Sequence, residues 1–495
     1  MQRFLVAALL VTSGLHAQQI VGPTISAGTW TKEAGPYIVP GDATLASGTL
    51  LIEAGTEIVL GGNDPDVEGS VGVTLSFAPG VVDARGTADE PIVFRTPSPD
   101  VDNVRFRRVY VGNSESSFRH CQFINADHGL YLHAGGATIR PLVANCTFRN
   151  CSGAGIYGDS EGRLSSGFPV FPREAALHPV IRNCVFEDSA RGCFFRLRGT
   201  THQLVMGRLF SRGAANPTIT NNLFRGMSLA AVELSIQPQL ANASAPRLSN
   251  NTFVDCEVGL IAINPFDCAV RGNIFYRTPT GVSRTGNLSQ TNLSHNCFYP
   301  QENPQDAFVG YPVSFGNVVW DNERGVPADL SFNIFEDPMF EDEVSFALSC
   351  DSPCVDSSCT TNNCNPTIYN DVCSPPSCGS SVGDLGIFGG PWACEMIPSS
   401  DVDTPFLRSD VNSSGNIEIS DAIGVLTFLF TADGPDTTCA KAMDADDNSF
   451  VEITDGVFIL RYLFIGGIQP PAPFNACGPD PSRDPLPCTS YPGCV

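Results

Sequence analysis

The stretch RNCVF at residues 182–186 is one of seven similar copies in the middle of the chain. The other copies are RHCQF, ANCTF, TNNLF, SNNTF, RGNIF and SHNCF, spread over residues 119–298. Successive phenylalanines are 25, 38, 38, 29, 22 and 23 residues apart. The short spacings define a repeat of about 22–25 residues, and the long ones indicate insertions into individual copies.

Each copy places small or polar residues at fixed distances from its phenylalanine. Two residues before the ring stands Cys or Asn: Cys121, Cys146, Cys184, Asn222, Asn251, Asn273 and Asn296. Six residues after it stands Gly or Ala in five copies, namely Gly129, Gly192, Ala230, Gly259 and Gly281, and Gly155 stands one place later. We expect three short strands per repeat, with apolar side chains inward and a tight turn at the small residue.

Stacked repeats of this kind predict a parallel β-helix. Equivalent strands pair about 4.8 Å apart, so that like side chains form ladders of Asn, Cys and Phe. A leucine-rich repeat needs regularly spaced leucines, and a propeller needs about 40 residues per blade. Neither pattern is present in the sequence, which we therefore interpret as mainly β.

The segments that flank the repeats resemble the secreted right-handed parallel β-helix proteins, a family that includes the pectate lyases. GTLLIEAGTEIVL at 48–60 and VVDARGTADEPIVF at 81–94 are similar to the N-terminal coils of these proteins. DPMF at 337–340, SPCVDSS at 352–358 and GDLGIFG at 383–389 look like their closing coil. The resemblance implies a right-handed solenoid. It does not imply one reaction, because the family contains polysaccharide lyases, glycoside hydrolases and non-catalytic surface proteins.

The N-terminus and the cysteines predict export. Residues 1–17 contain one arginine, a short apolar run and small residues before a cleavage position, which is typical of a signal peptide. Nineteen cysteines fit an oxidising compartment, and we expect disulfides among the seven from Cys350 to Cys394. Four others are interpreted as core residues: Cys121, Cys146, Cys184 and Cys297. We expect a secreted or cell-surface protein without membrane insertion.

The net charge of −24 hides a local reversal. Residues 101–284 hold 19 arginines and 12 acidic residues, so the middle of the chain is basic while both ends are acidic. A basic middle is suited to an acidic polymer such as a polysaccharide. We expect no nucleic-acid partner.

Two acidic segments near the C-terminus repeat at a distance of 34 residues. They are DVNSSGNIEISD at 410–421 and DADDNSFVEITD at 444–455. Oxygen ligands at loop positions 1, 3, 5, 7 and 12 surround one calcium ion in an EF-hand loop. The predicted Ca²⁺ ligands are Asp410, Asn412, Ser414, Asn416 and Asp421 in the first loop, and Asp444, Asp446, Asn448, Phe450 and Asp455 in the second, with Asn416 and Phe450 contributing carbonyl groups.

The runs AIGVLTFLF and GVFILRYLF follow the two loops and predict one amphipathic helix each. Two calcium loops with exit helices resemble the type I dockerin module, and the tail is similar to the dockerin-like endings of exported planctomycete proteins. The resemblance implies that loop positions 10 and 11 contact a cohesin-like partner: Ile419, Ser420, Ile453 and Thr454. Ser414 and Ser449 depart from the pattern, which has an acid and a glycine there. A calcium-stabilised terminal clamp is the alternative.

We expect the two helices to pack on each other and a disulfide between Cys439 and Cys477. The predicted contacts join Val425, Leu426, Leu429 and Phe430 to Val457, Leu460, Leu463 and Phe464. The chain then divides into a signal peptide (1–17), N-terminal coils (18–100), central repeats (101–300), a closing coil with a cysteine-rich cap (301–397), a linker (398–405), a dockerin-like module (406–480) and a cysteine-containing tail (481–495).

Three coils, aligned on their small residue, place two candidate rows on the outer face of the β-helix. The coils are GLYLH from 129, GIYGD from 155 and GCFFR from 192. If the leucines of the first coil point inward, the outward side chains form ladders. The candidate substrate-binding residues are Tyr131, Tyr157, Phe194 and Arg198. The candidate catalytic residues are His133, Asp159 and Arg196, which are suited to proton transfer and to holding a carboxylate.

Two functions stay open at this point. One is a polysaccharide lyase or glycoside hydrolase attached through the calcium-binding module. The other is a non-catalytic carbohydrate-binding or structural surface protein, on which the polar row is simply a solvated face. Hydrolysis requires two carboxylates, and only Asp159 and Glu161 lie near each other on the predicted face.

Overall fold

The computed structural model of this chain consists of a long β-helix and, near the C-terminus, a pair of helices. The described residues are 18–61, 72–97, 104–161, 163–164, 172–173, 175–198, 200–204, 207–211, 213–236, 245–264, 268–286, 292–322, 324–358, 379, 382–390, 392–393, 405–430, 439–447, 451, 453–467, 469–478, 486, 488 and 491–494. The predicted signal peptide, Asn448, Ser449, Phe450, the side chain of Arg198 and most of the cysteine-rich segment lie outside them. No helix in the described ranges is long and apolar enough to cross a membrane.

Three long parallel sheets of 11, 11 and 10 strands run through the described coils. Sheet A contains Gln19–Ile20, Tyr37–Val39, Glu57–Leu60, Ile92–Arg95, Cys121–Ile124, Thr147–Arg149, Val185–Glu187, Leu223–Arg225, Thr252–Val254, Ile274–Tyr276 and Cys297–Tyr299. Sheet B contains Thr24–Ile25, Ala43–Leu45, Thr74–Ser76, Phe106–Val111, Ala126–Gly135, Ala154–Glu161, Arg191–Arg198, Ala230–Ile236, Val258–Ile263, Thr280–Thr285 and Phe308–Val309. Sheet C contains Gly28–Trp30, Thr49–Glu53, Val81–Arg85, Ser117–Arg119, Leu142–Ala144, Val180–Arg182, Thr218–Thr220, Arg247–Ser249, Ala269–Arg271 and Asn292–Ser294.

Each coil passes from sheet C to sheet A to sheet B, and the long coils carry additions. Thr138–Ile139, Ala175–Leu177 and Gly213–Ala215 form a small parallel sheet. Antiparallel pairs join Arg163–Leu164 to Pro172–Arg173, Thr200–Leu204 to Gly207–Ser211 and Trp320–Asp321 to Pro327–Ala328. Short 3₁₀ helices span Pro304–Ala307, Ala440–Ala442 and Pro492–Cys494. The insertions therefore form their own strands outside the three-sheet frame.

A ladder of phenylalanine rings fills the interior behind sheet A, as the sequence predicts. Its members are Phe123, Phe148, Phe186, Phe224, Phe253, Phe275 and Phe298. All seven are fully buried, and consecutive ring centroids are 4.6–5.1 Å apart with planes tilted by 13° or less. This apolar burial is the main stabilising contribution in the central coils.

A second ladder lies at the corner between sheets C and A. Asn222, Asn251, Asn273 and Asn296 each donate Nδ2–H to the Oδ1 of the next asparagine, over 2.9–3.1 Å. The ladder ends at Asn333, one coil beyond the predicted repeats. The residue before each of these positions has positive φ, for example 53° at both 221 and 250, so the chain can turn the corner.

The recurring glycines make room for the phenylalanine ladder and do not form the turns, so that part of the prediction was wrong. Gly192 lies inside a strand of sheet B, where a Cβ would lie 2.4 Å from Cδ1 of Phe224. Gly281 has the same relation to Phe298, at 2.3 Å from Cε1. A ring from the neighbouring coil can therefore approach this closely only because glycine has no side chain.

Residues 383–390, predicted as part of the closing coil, run along the outside of the β-helix. Asn250 Nδ2 donates to the carbonyl of Asp384 over 3.0 Å. Asn221 Nδ2 donates to the carbonyls of Ile387 (2.9 Å) and Gly389 (2.7 Å). The segment thus crosses from coil to coil along the corner between sheets C and A. In these contacts the side-chain amide N–H groups of the turn residues find hydrogen-bond acceptors.

The cysteines only partly follow the prediction. Nine described cysteines are free and buried: Cys121, Cys146, Cys151, Cys184, Cys193, Cys256, Cys268, Cys297 and Cys354. The interpretation of four of them as core residues is confirmed. Cys350 is disulfide-bonded, whereas Cys354 packs in an apolar cluster with Cys297 and Ile334, so the cap is not cross-linked throughout.

Helices α1 (Ile419–Phe430) and α2 (Ile453–Ile465) follow the two predicted calcium loops. Their shared core contains Val411, Ala422, Val425, Met443, Ala445 and Ile459, with Leu429, Phe458, Leu460 and Leu463 at its edge. The predicted inward packing of Phe430, Val457 and Phe464 was wrong, because these side chains are 70%, 47% and 66% exposed. Phe430 lies about 80° around the helix from Ala422 and so misses the buried face.

The disulfides of this region also differ from the prediction. Cys439 pairs with Cys488, and Cys477 pairs with Cys494. The expected bridge between Cys439 and Cys477 is therefore wrong. The C-terminal tail, which the sequence analysis left aside, supplies both partners.

Candidate functional site

The strand register of sheet B brings the two candidate rows together. Tyr131, Tyr157 and Phe194 are aligned in neighbouring strands, which places the aromatic row on one face. His133, Asp159 and Arg196 are aligned two residues further along the same strands and form the polar row. The sequence alignment predicted both rows, while their chemical roles stay predictions.

The aromatic row is longer than predicted, and its rings stack on each other. Tyr110 is aligned with Tyr131 in the preceding strand. The Tyr110–Tyr131 and Tyr131–Tyr157 centroids are 5.6 Å and 4.8 Å apart with nearly parallel planes. Both faces of the Tyr131 ring are therefore covered by neighbouring tyrosines, so they are not open for stacking with a sugar ring. Phe194 lies at the end of the row, turned by 83° relative to Tyr157.

The carboxylate of the polar row is almost inaccessible. The side chain of Asp159 is 1% exposed, and its Oδ2 accepts a hydrogen bond from the Tyr131 hydroxyl over 3.1 Å. His133 Nδ1 lies 4.0 Å from the same oxygen. Burial, followed by the charge of Asp159, raises the pKa of Tyr131, so the phenol stays protonated. The Asp159 carboxylate therefore accepts a hydrogen bond from Tyr131 and is not accessible from solvent.

Arginines flank the aromatic row. The guanidinium carbon of Arg108 lies 4.4 Å from the Tyr131 centroid, and that of Arg191 lies 5.2 Å from the Phe194 centroid. Arg191 also forms an ion pair with Glu233 over 2.5 Å. Arg107 and Arg196 are exposed on the same sheet. The outer face of sheet B thus presents positive charge beside aromatic edges.

His128 lies against this row as a neutral imidazole. Its ring centroid is 4.8 Å from that of Tyr157. Burial lowers the pKa of His128 to about 4, and the nearby Arg108 and Arg191 act in the same direction against Asp127. Burial likewise lowers the pKa of His295, at the corner between sheets C and A, to about 4. Both imidazoles are therefore neutral in the folded protein near pH 7 and become protonated only in acid.

We expect acid to destabilise the β-helix through these two histidines. In the unfolded chain they bind protons near pH 6.5, but in the folded protein only near pH 4, so stability falls as pH drops through that window. For each replaced histidine, the double variant His128→Gln/His295→Asn should lose roughly 2 kcal/mol less than the wild type between about pH 7 and pH 4.5. Denaturant unfolding at both pH values measures the difference. Equal losses in the two proteins would contradict this assignment.

Inserted hairpins follow the strands that carry the polar row. Ala154–Glu161 leads into the pair at 163–173, and Arg191–Arg198 leads into the pair at 200–211. Glu161 and Arg198 are aligned in register at the ends of these strands. The insertions that the long repeat spacings indicate therefore follow the strands that carry the candidate rows.

A polar pocket of about 430 Å³ lies at the corner between sheets A and B. Arg105, Asp188 and Ser189 line it, and Arg105 Nη2 donates to Asn150 Oδ1 over 2.8 Å. The sequence does not predict this pocket, because its residues come from turns of several coils. Their order in the sequence gives no sign that they meet.

In the first predicted calcium loop, three of the five predicted ligands, Asp410, Ser414 and Asn416, lie close together. Ser414 Oγ lies 3.4 Å from Asp410 Oδ1 and 3.1 Å from the Asn416 carbonyl oxygen. Asp410 and Asp421 are fully buried at the two ends of the loop. Gly415, with φ of 80°, donates its N–H to Asp410 Oδ2 over 2.7 Å. The loop is therefore wrapped around its own carboxylates.

The second loop gathers three carboxylates. One oxygen each of Asp444, Asp446 and Asp455 lies within 4.8 Å of the others. Asp444 and Asp455 are fully buried, and the backbone N–H of Ala445 donates to Asp455 Oδ1 over 2.8 Å. The remaining predicted ligands, Asn448 and Phe450, lie outside the described residues.

The chemistry of both loops fits a hard divalent cation. Burial raises the pKa of Asp421, and the charge of Asp410 adds to the effect, as expected for carboxylates crowded without a counter-ion. Calcium takes oxygen ligands and would stabilise the charged forms. The residues that would hold it are the carboxylates of both loops, with Ser414 and the Asn416 carbonyl in the first.

The comparisons with known proteins support the architecture. Residues 107–310 match the family model described as right handed beta helix region. No curated protein matches the chain. With the parallel register of sheets A to C, the match identifies the central part of the protein as a right-handed parallel β-helix. The matched segment includes both rows on sheet B.

Proposed function

We propose that this protein binds an acidic polysaccharide along the outer face of sheet B. The observation that carries the proposal is the aromatic row with arginines on both sides, in a chain whose other regions are acidic. Guanidinium groups bind carboxylates through paired hydrogen bonds, and Phe194 offers a ring beside exposed Arg196. A β-helix family match is consistent with a polysaccharide-related protein.

We expect the variants Arg196→Ala and Phe194→Ala to weaken polysaccharide binding by roughly tenfold each, as loss of a charge-assisted or aromatic contact does. Affinity electrophoresis against a panel of acidic and neutral polysaccharides measures this. The control is Arg277→Ala, which removes an arginine bonded to Asp255 and Glu343 on another part of the surface. Equal retardation of all three variants and the wild type would refute the location of the site.

Polysaccharide cleavage is the second candidate function, and one contact favours it. Tyr131, Asp159 and His133 form a chain of neighbours in which the phenol donates to the buried carboxylate and His133 Nδ1 lies 4.0 Å from the same oxygen. In such a chain Asp159 would act as a positioning residue, while His133 exchanges protons and Arg196 holds a uronate. Ordinary two-carboxylate hydrolysis is disfavoured because the Asp159 side chain is only 1% exposed. Incubation of the same panel with wild type and His133→Ala, followed by chain-length analysis, separates an enzyme from a binding protein.

The C-terminal module supports the proposal that the protein is attached at the cell exterior. Helices α1 and α2 present matching exposed apolar residues 34 positions apart: Ile419 and Ile453, Ile423 and Val457, and Phe430 and Phe464. The first pair occupies the position predicted, together with Ser420 and Thr454, to contact a cohesin-like protein. Calcium would hold the loops in the shape that presents this face.

A further inference from the structure

The C-terminal tail lies against the first calcium loop. Tyr491 is 5% exposed, and its hydroxyl oxygen is 2.6 Å from Asp410 Oδ2 and 2.9 Å from the Asp410 carbonyl oxygen. Its ring packs edge-on to Phe406, with centroids 6.4 Å apart. A residue 81 positions away in the chain therefore contacts the first predicted calcium ligand.

Two disulfides fix the tail on either side of this contact. Cys488, three residues before Tyr491, is bonded to Cys439, and Cys494, three residues after it, is bonded to Cys477. The tail is thus tied to the polypeptide that surrounds both loops. The Tyr491 hydroxyl is held at Asp410 by covalent constraint and not by packing alone.

The two carboxylate oxygens of Asp410 have different hydrogen-bond partners. Oδ2 accepts from the Gly415 N–H and from the Tyr491 hydroxyl. Oδ1 accepts from the Ser414 N–H over 2.9 Å and lies beside Ser414 Oγ, which is 3.1 Å from the Asn416 carbonyl oxygen. Bonds to one oxygen fix the rotation of the carboxylate, so the other is directed into the loop before an ion arrives.

The second loop receives a different support. Arg408 is fully buried, donates Nη1–H to the Asp444 carbonyl over 2.9 Å and pairs with Asp447 over 3.0 Å. The first loop has two predicted acidic ligands, Asp410 and Asp421, whereas the second has three, because Asp446 stands where the first loop has Asn412. The calcium affinity of the first loop should therefore depend more strongly on the orientation of Asp410, the carboxylate at its first position.

We propose that Tyr491 is a positioning residue for the first calcium site. This inference rests on the proposed calcium binding of the two loops. The tail orients Asp410, and loss of the Tyr491 hydroxyl lowers the calcium affinity of the first loop alone. Removal of a hydrogen-bond partner of a metal ligand typically lowers metal affinity by about 10–100-fold.

Calorimetric calcium titration of the full-length protein tests the proposal. Tyr491→Phe keeps the ring and removes the hydroxyl, and we expect about tenfold weaker binding at one of two sites. In an Asp444→Ala background, where only the first loop is intact, the same loss should appear. In an Asp410→Ala background, Tyr491→Phe should have no further effect. A merely structural role would instead weaken both sites.

Three outcomes overturn the inference. If Tyr491→Phe in the Asp444→Ala background changes the affinity by less than about twofold, the hydroxyl does not position Asp410. If both sites weaken together, the tail stabilises the module as a whole. If Asp410→Ala and Asp444→Ala leave the titration of the wild type unchanged, calcium binding by the loops fails, and the inference fails with it.

Discussion

The variant Phe224→Ala should lose about 3–5 kcal/mol of unfolding free energy, a large part of the stability of an ordinary domain. The Phe224 ring is fully buried and stacks on Phe186 and Phe253 at centroid distances of 4.6 and 5.1 Å. Its removal opens a cavity in the middle of the ladder, where the rigid coils on either side cannot close it. Denaturant unfolding followed by the circular dichroism of the β-structure measures the loss.

The control for this prediction is Phe430→Ala. Phe430 is 70% exposed on α1, so its removal should change the free energy of unfolding by less than about 0.5 kcal/mol. A loss below about 1 kcal/mol in Phe224→Ala would show that the ring ladder is not a close-packed core in solution.

Removal of calcium should unfold the C-terminal module and leave the β-helix intact. Asp410, Asp421, Asp444 and Asp455 are all fully buried, and without a cation their charges repel. At a calcium concentration about 1,000 times the dissociation constant, the ion contributes about 4 kcal/mol to the stability of the module. Limited proteolysis of the full chain, with and without chelator, should therefore show chelator-dependent cleavage within residues 405–478.

The double variant Asp410→Ala/Asp444→Ala should be cleaved in calcium as the wild type is in chelator. A matched control is Asp342→Ala, because Asp342 is an exposed carboxylate that caps a turn outside the module. Equal protection of the wild type with calcium and with chelator would contradict the calcium assignment and leave the duplicated loops without a demonstrated role.

The repeat period revealed most of the fold because inward and outward residues alternate strictly in a strand. One alignment of seven phenylalanines therefore predicted the Phe and Asn ladders and the two rows on sheet B. Asn333 was missed although it also stands two residues before a phenylalanine, Phe335, which follows Phe298 at a spacing of 37 residues that is close to those of the long coils. The role of the glycines was misread because a sequence does not distinguish a glycine in a turn from one that faces a ring of the next coil.

The candidate site was harder to predict because it depends on which side chains satisfy each other. Alignment placed Asp159 on the outer face, but the Tyr131 hydroxyl and the neighbouring coils bury its carboxylate. Stacking on Tyr110 and Tyr157 likewise covers both faces of the Tyr131 ring, which the sequence predicted to be available for binding a sugar. The contact of Tyr491 with Asp410 depends on the path of the tail, for which no local pattern exists.

A crystal structure with the tightest-binding oligosaccharide of the panel tests the central claim, that sheet B binds polysaccharide, most directly. The account predicts sugar density on the outer face of sheet B, with a carboxylate of the sugar within hydrogen-bonding distance of Arg196 and a ring against Phe194. Sugar bound to sheet A, to the 383–390 segment or to the C-terminal module, with the face of sheet B empty, would contradict it.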